Sequence, residues 1–401
     1  MKIYWVNNSF GADNVQLAQE IESVDMDAIR QDYLYNAGVS ANICYTESDF
    51  NKIAGKNYDN TIRRAISAQE HGHHSVFGHK FVSLYITGIP KALAMVLNNE
   101  KEYNTSEKSG RYTLMREGDD SNKYYDKWAK IFNDLIVDEY SHKFPKVFTE
   151  TKIRNLAREN ARYLLSIYTP VSMQYTTSFR QLNYLYGFMQ EVIHNPNPNK
   201  FYRSVVPAMQ EFCGAIQPLV FDELANTQKN RHLSLVRDGE YQAEEYFGDV
   251  YCTNYNATLV ALAQLQRHRS IDYSFQLLDN DTYYIPPILQ GRGALVEEWI
   301  EDCRQQSSKI PQATMVNITE RGTYEAFILK SKERLCTHAQ LEANNITKDI
   351  MNRYRDRLVQ SGHPRCTDIV QYTKGARCTF PDYTCPEPCH FAEGITMERR
   401  I

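Results

Sequence analysis

No stretch of this chain approaches the roughly 18 consecutive apolar residues that a membrane-spanning helix requires, so no integral helical membrane protein is expected. The opening segment, MKIYWVNNSFGADN, lacks an apolar core of signal-peptide length. Neither sign of charge dominates: 45 basic against 49 acidic side chains leave a net charge of −4. That balance gives no global case for a nucleic-acid or membrane partner, and any basic site must be local. No low-complexity linker divides the chain. The nine cysteines are an odd number, which argues against a disulfide framework and for reduced thiols in a cytoplasm, the host's if the source is a virus. What is present is an ordinary globular balance, 42% hydrophobic and 23% charged residues. With 401 residues, that suffices for two domains or one large one.

Apolar periodicity predicts helices over Asp59–Glu70, Tyr125–Ile136, Ile153–Leu165 and Glu333–Leu358. The β-branched and aromatic run Lys80–Ile89 predicts a strand ending near Gly88 and Pro90, and Met173–Thr177 and Gln312–Ile318 are further strand candidates. Asn195-Pro-Asn-Pro-Asn is a loop, because two prolines two apart deny a helix its donors. The order of elements repeats between the halves, which points to an approximate internal duplication with a seam near residue 225. One mixed α/β domain is the other reading.

Four groups of residues carry possible chemistry. Glu107, Ser109 and Arg111 are two apart, so an extended backbone would place all three side chains on one face. There a carboxylate, a hydroxyl and a guanidinium could converge on a phosphate; the same composition also suits a solvated loop. Arg267-His268-Arg269 follows the apolar helical run beginning at Thr258. It reads either as cations complementing a helix C-terminus or as an anion cradle able to serve two neighbouring ligands. Arg334, His338 and Glu342 are four apart and are expected on one helical face, as a site or as an exposed charge ladder. Finally, His73-His74-Ser75-Val76-Phe77-Gly78-His79 is either a polar turn, a ligand contact or a metal chelate.

These runs resemble, in fragments, the flavin-dependent thymidylate synthases. That family has an Arg-His-Arg triplet followed, seven residues on, by a Ser inside a Glu-x-Ser-x-Arg-Tyr run. Here Arg267-His268-Arg269 resembles the triplet and Glu107-Lys-Ser109-Gly-Arg111-Tyr112 resembles the second run, but they lie in different halves. Counting from either fragment puts Asn99-Glu100-Lys101 at the missing triplet, and Phe275, Leu277 and Asp279 at the missing Glu, Ser and Arg. Arg334-x3-His338-Ala339-Gln340-x-Glu342 resembles the family's Arg-x-x-x-His-Ala-Gln-x-Glu run. His73–His79 is similar to its His-x-x-x-Phe-x-His segment. Ala161-Arg162-x-x-Leu165 is similar to its Ala-Arg-x-x-Leu-Pro, with Ser166 at the Pro. Arg180 stands at the Arg of a later Asn-x-Arg whose Asn is Ser178, and Tyr184 stands at another family Asn. In the second half Thr323, Glu325 and Leu329 stand at those three places.

The resemblance implies an α+β fold in two tandem copies, each with helices packed on a mainly antiparallel curved sheet: residues 1–225, then 226–362, then a Cys-rich tail, 363–401. It implies a methyltransferase that moves one carbon to C5 of deoxyuridylate (dUMP) for thymidylate (dTMP) synthesis. FAD would be the cofactor, with methylenetetrahydrofolate and NADPH as co-substrates. The implied nucleotide-binding set is Glu107, Ser109, Arg111 and Arg162 from the first half, with Gln264, Arg267 and Arg334 from the second. Val96, Asn99 and Met189 stand at the reciprocal first-half places of the last three. The implied cofactor contacts are His73, His79, Arg180, Arg267, His268, Arg269 and His338. Because the family grips the nucleotide across subunits, a homodimer imitating four subunits is expected. A related pyrimidine-nucleotide hydroxymethylase or methylase, and a non-catalytic nucleotide-binding homologue without flavin, remain alternatives. The tail thiols Cys366, Cys378, Cys385 and Cys389 could hold zinc or an iron–sulfur centre, or be four unlinked thiols.

Overall fold

The computed structural model describes residues 1–6, 18–44, 46–55, 57–109, 121–224, 231–237, 243–278, 282–385 and 400–401. Strands β1 (Lys2–Val6) and β2 (Ala18–Glu20) precede helices α1 (Met26–Ile43), α2 (Phe50–Ala54) and α3 (Tyr58–Glu70). Then come β3 (Phe81–Pro90), α4 (Lys91–Leu97), β4 (Asn104–Glu107), α5 (Ser121–Ile136) and α6 (Glu150–Ala161). The first half closes with β5 (Pro170–Ser178), α7 (Phe179–His194) and α8 (Lys200–Ile216). The second half contains β6 (Tyr246–Phe247), β7 (Val250–Thr258), α9 (Leu259–Leu265), β8 (Asp272–Leu277) and α10 (Gly293–Arg304). It ends with β9 (Met315–Thr323), α11 (Tyr324–Arg334), α12 (Leu341–Ser361) and α13 (Cys366–Val370).

The chain forms two compact units, and neither is continuous. Met1–Lys108 packs with Pro170–Ser234, and Ser109–Thr169 packs with Leu235–Ile401. The helices α5 and α6 therefore belong to the same unit as the second half of the sequence.

In the first unit an antiparallel sheet has the order β2-β1-β3-β5-β4. Val82, Leu84 and Ile86 alternate along β3 and are completely buried, the period of two that a half-covered strand requires. Gly88 takes a positive φ of 71° where the register shifts between Thr87 and Ile89, a conformation without penalty only for glycine. Helices α1 and α3 approach so closely that a Cβ on Gly38 would lie 2.0 Å from the Thr61 carbonyl oxygen.

The second unit has a sheet of order β6-β7-β9-β8, also antiparallel. Helices α5, α6 and α10 enclose a core in which Trp128 and Trp299 meet edge to face, 4.8 Å between centroids. Both indole N–H groups donate, to Asp302 Oδ2 and to the Tyr284 carbonyl, each at 2.7 Å. A second cluster around Tyr251, Phe327 and Tyr354 joins β7, α11 and α12.

The mixed helix and antiparallel-sheet class expected from the sequence is the one observed. The last three strands have the same order in both sheets, β3-β5-β4 and β7-β9-β8, with β4 and β8 at an edge. In each, a long strand runs directly into a 7-residue helix, α4 or α9. A 9-residue strand then runs directly into α7 or α11, whose N-caps are Ser178 and Thr323. No described helix is long and apolar enough to cross a membrane.

Three element expectations need correction. The helix expected to Leu165 stops at Ala161, and Arg162 opens a 3-10 turn. The strand expected at Gln312–Ile318 runs over Met315–Thr323 instead. The helix expected over Glu333–Leu358 is interrupted after Arg334 and resumes at Leu341. Arg334, His338 and Glu342 therefore share no helical face. The break holds because the Asn344 side chain donates to the carbonyls of Arg334 and Cys336, groups an ended helix leaves open.

Candidate functional site

In the second unit, Thr258 ends β7 and caps α9, its hydroxyl accepting from Ala261 N–H at 3.0 Å. Helix α9 lasts two turns, so Gln264 falls in its last turn and Arg267-His268-Arg269 forms the turn beyond. Arg267 and Arg269 are exposed, while His268 is only 5% exposed. Arg334, the last residue of α11, donates from Nη2 to the Gln264 carbonyl at 3.0 Å. The end of α11 is thereby tied to the end of α9, which brings Gln264 and Arg334 together beside the triplet.

A buried network fixes this arrangement. The Glu342 carboxylate accepts from Thr258 N–H at 2.8 Å, Thr258 Oγ1 at 2.7 Å and Tyr163 Oη at 2.8 Å. Gln340 Nε2 donates to the same Tyr163 hydroxyl at 2.6 Å. Burial pushes the Glu342 carboxyl up; the Thr258 and Tyr163 hydrogen bonds and the positive charge of Arg162 pull it down. Three backbone segments, those of Arg162, α9 and α12, thus converge on one carboxylate.

Beside it, Glu320 of β9 and Lys330 of α11 form a completely buried ion pair, with Nζ 2.6 and 2.7 Å from the two carboxylate oxygens. Tyr251 and Tyr255 hydroxyls donate to the same carboxylate at 2.6 and 2.7 Å. Burial, with the charges of Arg334 and Lys330, lowers the His268 imidazole to about 2, so it is neutral at any physiological pH. Its Nε2 makes no hydrogen bond among the described residues and lies 3.8 Å from Glu333 Oε2.

His338 lies in the irregular segment between α11 and α12, where its N–H meets Cys336 Sγ at 3.5 Å. Arg162, buried in its 3-10 turn, belongs to this unit and acts electrostatically on Tyr163 and Glu342. Glu320, Lys330, Tyr163 and Thr258 were not singled out from sequence. Lys330 precedes Arg334 by one helical turn, which is the one local signal that could have drawn attention to it.

In the first unit, Glu107 lies at the end of β4 and its carboxylate is engaged, by Lys91 Nζ at 2.5 Å and Asn98 Nδ2 at 3.1 Å. Ser109 is half-buried and is assigned to the second unit. Arg111 lies outside the described residues. His73 and His79 flank the 3-10 turn His74–Gly78 and are both exposed, whereas His74 is buried with Nε2 3.1 Å from the Gln69 carbonyl. Arg180 donates to the Tyr184 hydroxyl at 2.7 Å and lies over the same ring, 5.1 Å from its centroid. Val96 and Met189 are completely buried.

Among the described residues no three His, Cys, Asp or Glu side chains come together as an ion site. Cys366 opens α13 against the second core, and Cys378 sits exposed in a short turn. Cys385 is half-buried and unbridged, and Cys389 lies outside the described residues. Hydrocarbon packing of Ile369 and Tyr372, with the Tyr324–Asp368 hydrogen bond at 2.7 Å, anchors this segment.

The solved UMP/dUMP methylase PolB from Streptomyces cacaoi, bound with 5-Br dUMP, is 17% identical, with a TM-score of 0.29, across 47% of this chain and 92% of its own. Thymidylate Synthase X from Helicobacter pylori, solved with FAD and dUMP, is 18% identical, with a TM-score of 0.28, across 49% of this chain and 95% of its own. No curated protein matches the chain. Residues 31–213 match the family model for the Thymidylate synthase complementing protein. That segment, 183 of the 401 residues, is similar to the thymidylate synthase complementing protein family.

Proposed function

We propose that this protein is a tandemly duplicated enzyme of that family which transfers one carbon to C5 of deoxyuridylate, with FAD as cofactor and methylenetetrahydrofolate and NADPH as co-substrates. The observation that carries the reading is the matched pair of strand-to-helix transitions. Helices α4 and α9 begin directly after β3 and β7, and α7 and α11 directly after β5 and β9. Aligned from those starts, Val96 falls on Gln264, Asn99 on Arg267 and Met189 on Arg334. One copy holds buried hydrocarbon at two of these places; the other holds an amide and two guanidinium groups. This is complementary division rather than uniform decay.

On this reading Arg162, Arg267 and Arg334 grip the dianionic phosphate and polarise the uracil edge, and Gln264 supplies an amide to the nucleotide. Glu107, Ser109 and Arg111 of the first copy form the opposite wall, and two chains pair so that the halves meet. Ser109 orients the nucleotide without forming a covalent bond. Thr258, Glu342 and Tyr163 hold the Arg162 and α9 segments in register, as positioning residues. The neutral, buried His268, with a nitrogen awaiting a partner, fits a group that brings its own donors and acceptors. FAD would be held by His268, Arg267, Arg269 and His338, with His73, His79 and Arg180 from the first copy. When bound, reduced flavin supplies the hydride that completes the methyl group.

The test is release of tritium from 5-labelled dUMP, with methylenetetrahydrofolate, NADPH and FAD present, for wild type and Arg267→Ala. Release by wild type, lost in the variant, supports the proposal; no release at any flavin concentration overturns it. Affinity for dUMP should fall about ten- to a hundredfold in Arg334→Ala, the range commanded by a charge-assisted hydrogen bond.

A further inference from the structure

The first copy's counterpart of the Arg-His-Arg turn is Asn99-Glu100-Lys101, and all three residues contact one short segment of the same unit. Asn99 Nδ2 donates to Ser234 Oγ at 2.9 Å. Glu100 Oε1 accepts from Ser234 N–H at 2.7 Å and from Ser234 Oγ at 2.9 Å. The Lys101 carbonyl accepts from Arg231 Nη2 at 3.4 Å. Tyr184 joins them: the Arg231 guanidinium lies 6.0 Å from its ring centroid and 5.8 Å from that of Phe188. Between Arg231 and Ser234, His232 Nδ1 lies 2.7 Å from Glu191 Oε2 and Leu233 is buried. Arg231, His232 and Ser234 of the connector are thus each held by the first copy.

The chemistry of these contacts differs from that of an anion site. Glu100 is 3% exposed and presents an acceptor where His268 stands in the second copy. A buried carboxylate repels phosphate and selects N–H and O–H donors, which a peptide segment supplies. Its backbone is fixed in turn by Gln181, whose Nε2 donates to the Glu100 carbonyl at 3.2 Å. Asn99, Glu100 and Tyr184 all depart from the motif pattern, and all three side chains meet the connector; Lys101 meets it through its backbone carbonyl. Loss of a site by drift gives no reason for its replacements to converge on one partner.

We propose that the first copy's triplet turn has been rebuilt as a latch, in which Asn99, Glu100, Lys101 and Tyr184 grip connector residues 231–234 and commit that face to the chain itself rather than to a nucleotide. The proposal rests on the duplicated reading for the correspondence between 99–101 and 267–269, while its contacts stand independently of activity. Leu235, the next residue, begins the second stretch of the other unit, so the latch lies at the last residues of the first.

Hydrogen exchange of the Ser234 amide, read by mass spectrometry on the full chain, tests the latch without any ligand. Glu100→Ala removes the acceptor and should speed that exchange by about tenfold or more, the factor set by one charge-assisted hydrogen bond. Glu100→Gln retains a neutral acceptor and should fall between wild type and Glu100→Ala. Asn99→Ala is the milder variant and should move the same amide in the same direction; the amides of β3 and β5 report that the unit remains folded. Wild-type exchange in both Ala variants overturns the latch. A parallel dUMP titration should leave the dissociation constant of Glu100→Ala unchanged, and a clear loss of affinity would place Glu100 in a ligand site and overturn the latch as well. If the wild-type chain binds no dUMP, the proposed function fails by itself, because the exchange measurement is unaffected.

Discussion

Replacing Lys330 with Met should destabilise the second unit more than any surface change, and the structure gives the size. Glu320 and Lys330 are both completely buried, and the carboxylate accepts four hydrogen bonds from three groups: two from Lys330, one from Tyr251 and one from Tyr255. Burial lowers the Lys330 ammonium and the charge of Glu320 raises it again, so each partner makes the other's charge tolerable. Lys330→Met leaves the carboxylate charged, desolvated and served by two hydroxyls, which costs about 3–5 kcal/mol. Glu320→Gln in the same chain removes the stranded charge while keeping an acceptor for one tyrosine. The double variant should therefore recover about 2 kcal/mol or more relative to Lys330→Met alone, a coupling expected only of residues in direct contact. Calorimetric melting reads both effects. For a domain of 150–250 residues, the single change corresponds to a fall in Tm of roughly 6–20 °C. A loss below about 1 kcal/mol in Lys330→Met, or strictly additive effects in the double variant, would refute the buried-pair reasoning.

Two further outcomes follow from the same unit. His268 is lowered to about 2, while the unfolded chain takes its proton near 6.5, so its contribution to stability is complete above pH 6.5 and is lost as the pH falls. Between pH 6.5 and 5.0 wild type should lose about 2 kcal/mol more than His268→Gln, and identical urea midpoints across that window would contradict the burial of a neutral imidazole. Thr258→Ala removes both the α9 cap and a hydrogen bond to Glu342. It should cost about 1–2 kcal/mol and weaken dUMP binding, because α9 carries Gln264 and leads into Arg267; Thr258→Ser should restore both. Unchanged dUMP affinity in a destabilised Thr258→Ala would separate the cap from the proposed site.

The elements that sequence reasoning located are those set by local physics. Asp59–Glu70 and Tyr125–Ile136 carry a 3.6-residue apolar stripe that tertiary packing only confirms. Lys80–Ile89 carries the alternation of β3. Serine and threonine at 178, 258 and 323 stop a strand and begin a helix by hydrogen bonding within three residues. The failure at Glu333–Leu358 has the opposite cause. Its local pattern is helical throughout, but non-local demand on Glu342 by Thr258, 84 positions earlier, and by Tyr163, 179 positions earlier, accompanies a break that no window of neighbouring residues encodes.

The sequence by itself determined which residue types are available for the proposed anion site: Arg162 in the first half, and Gln264, Arg267 and Arg334 in the second. It also determined the strand-to-helix punctuation that lets the halves be compared, because capping and periodicity act over a few residues. Only the tertiary structure decided that α5 and α6 pack with the second half, that Glu320 pairs with Lys330, and that Asn99 and Glu100 hold Ser234. A glutamate inside a strand and a lysine inside a helix look like solvent-facing charges one at a time. Desolvation makes each of them costly unless the fold supplies the partner, and pairing across many residues is a property of the packed chain.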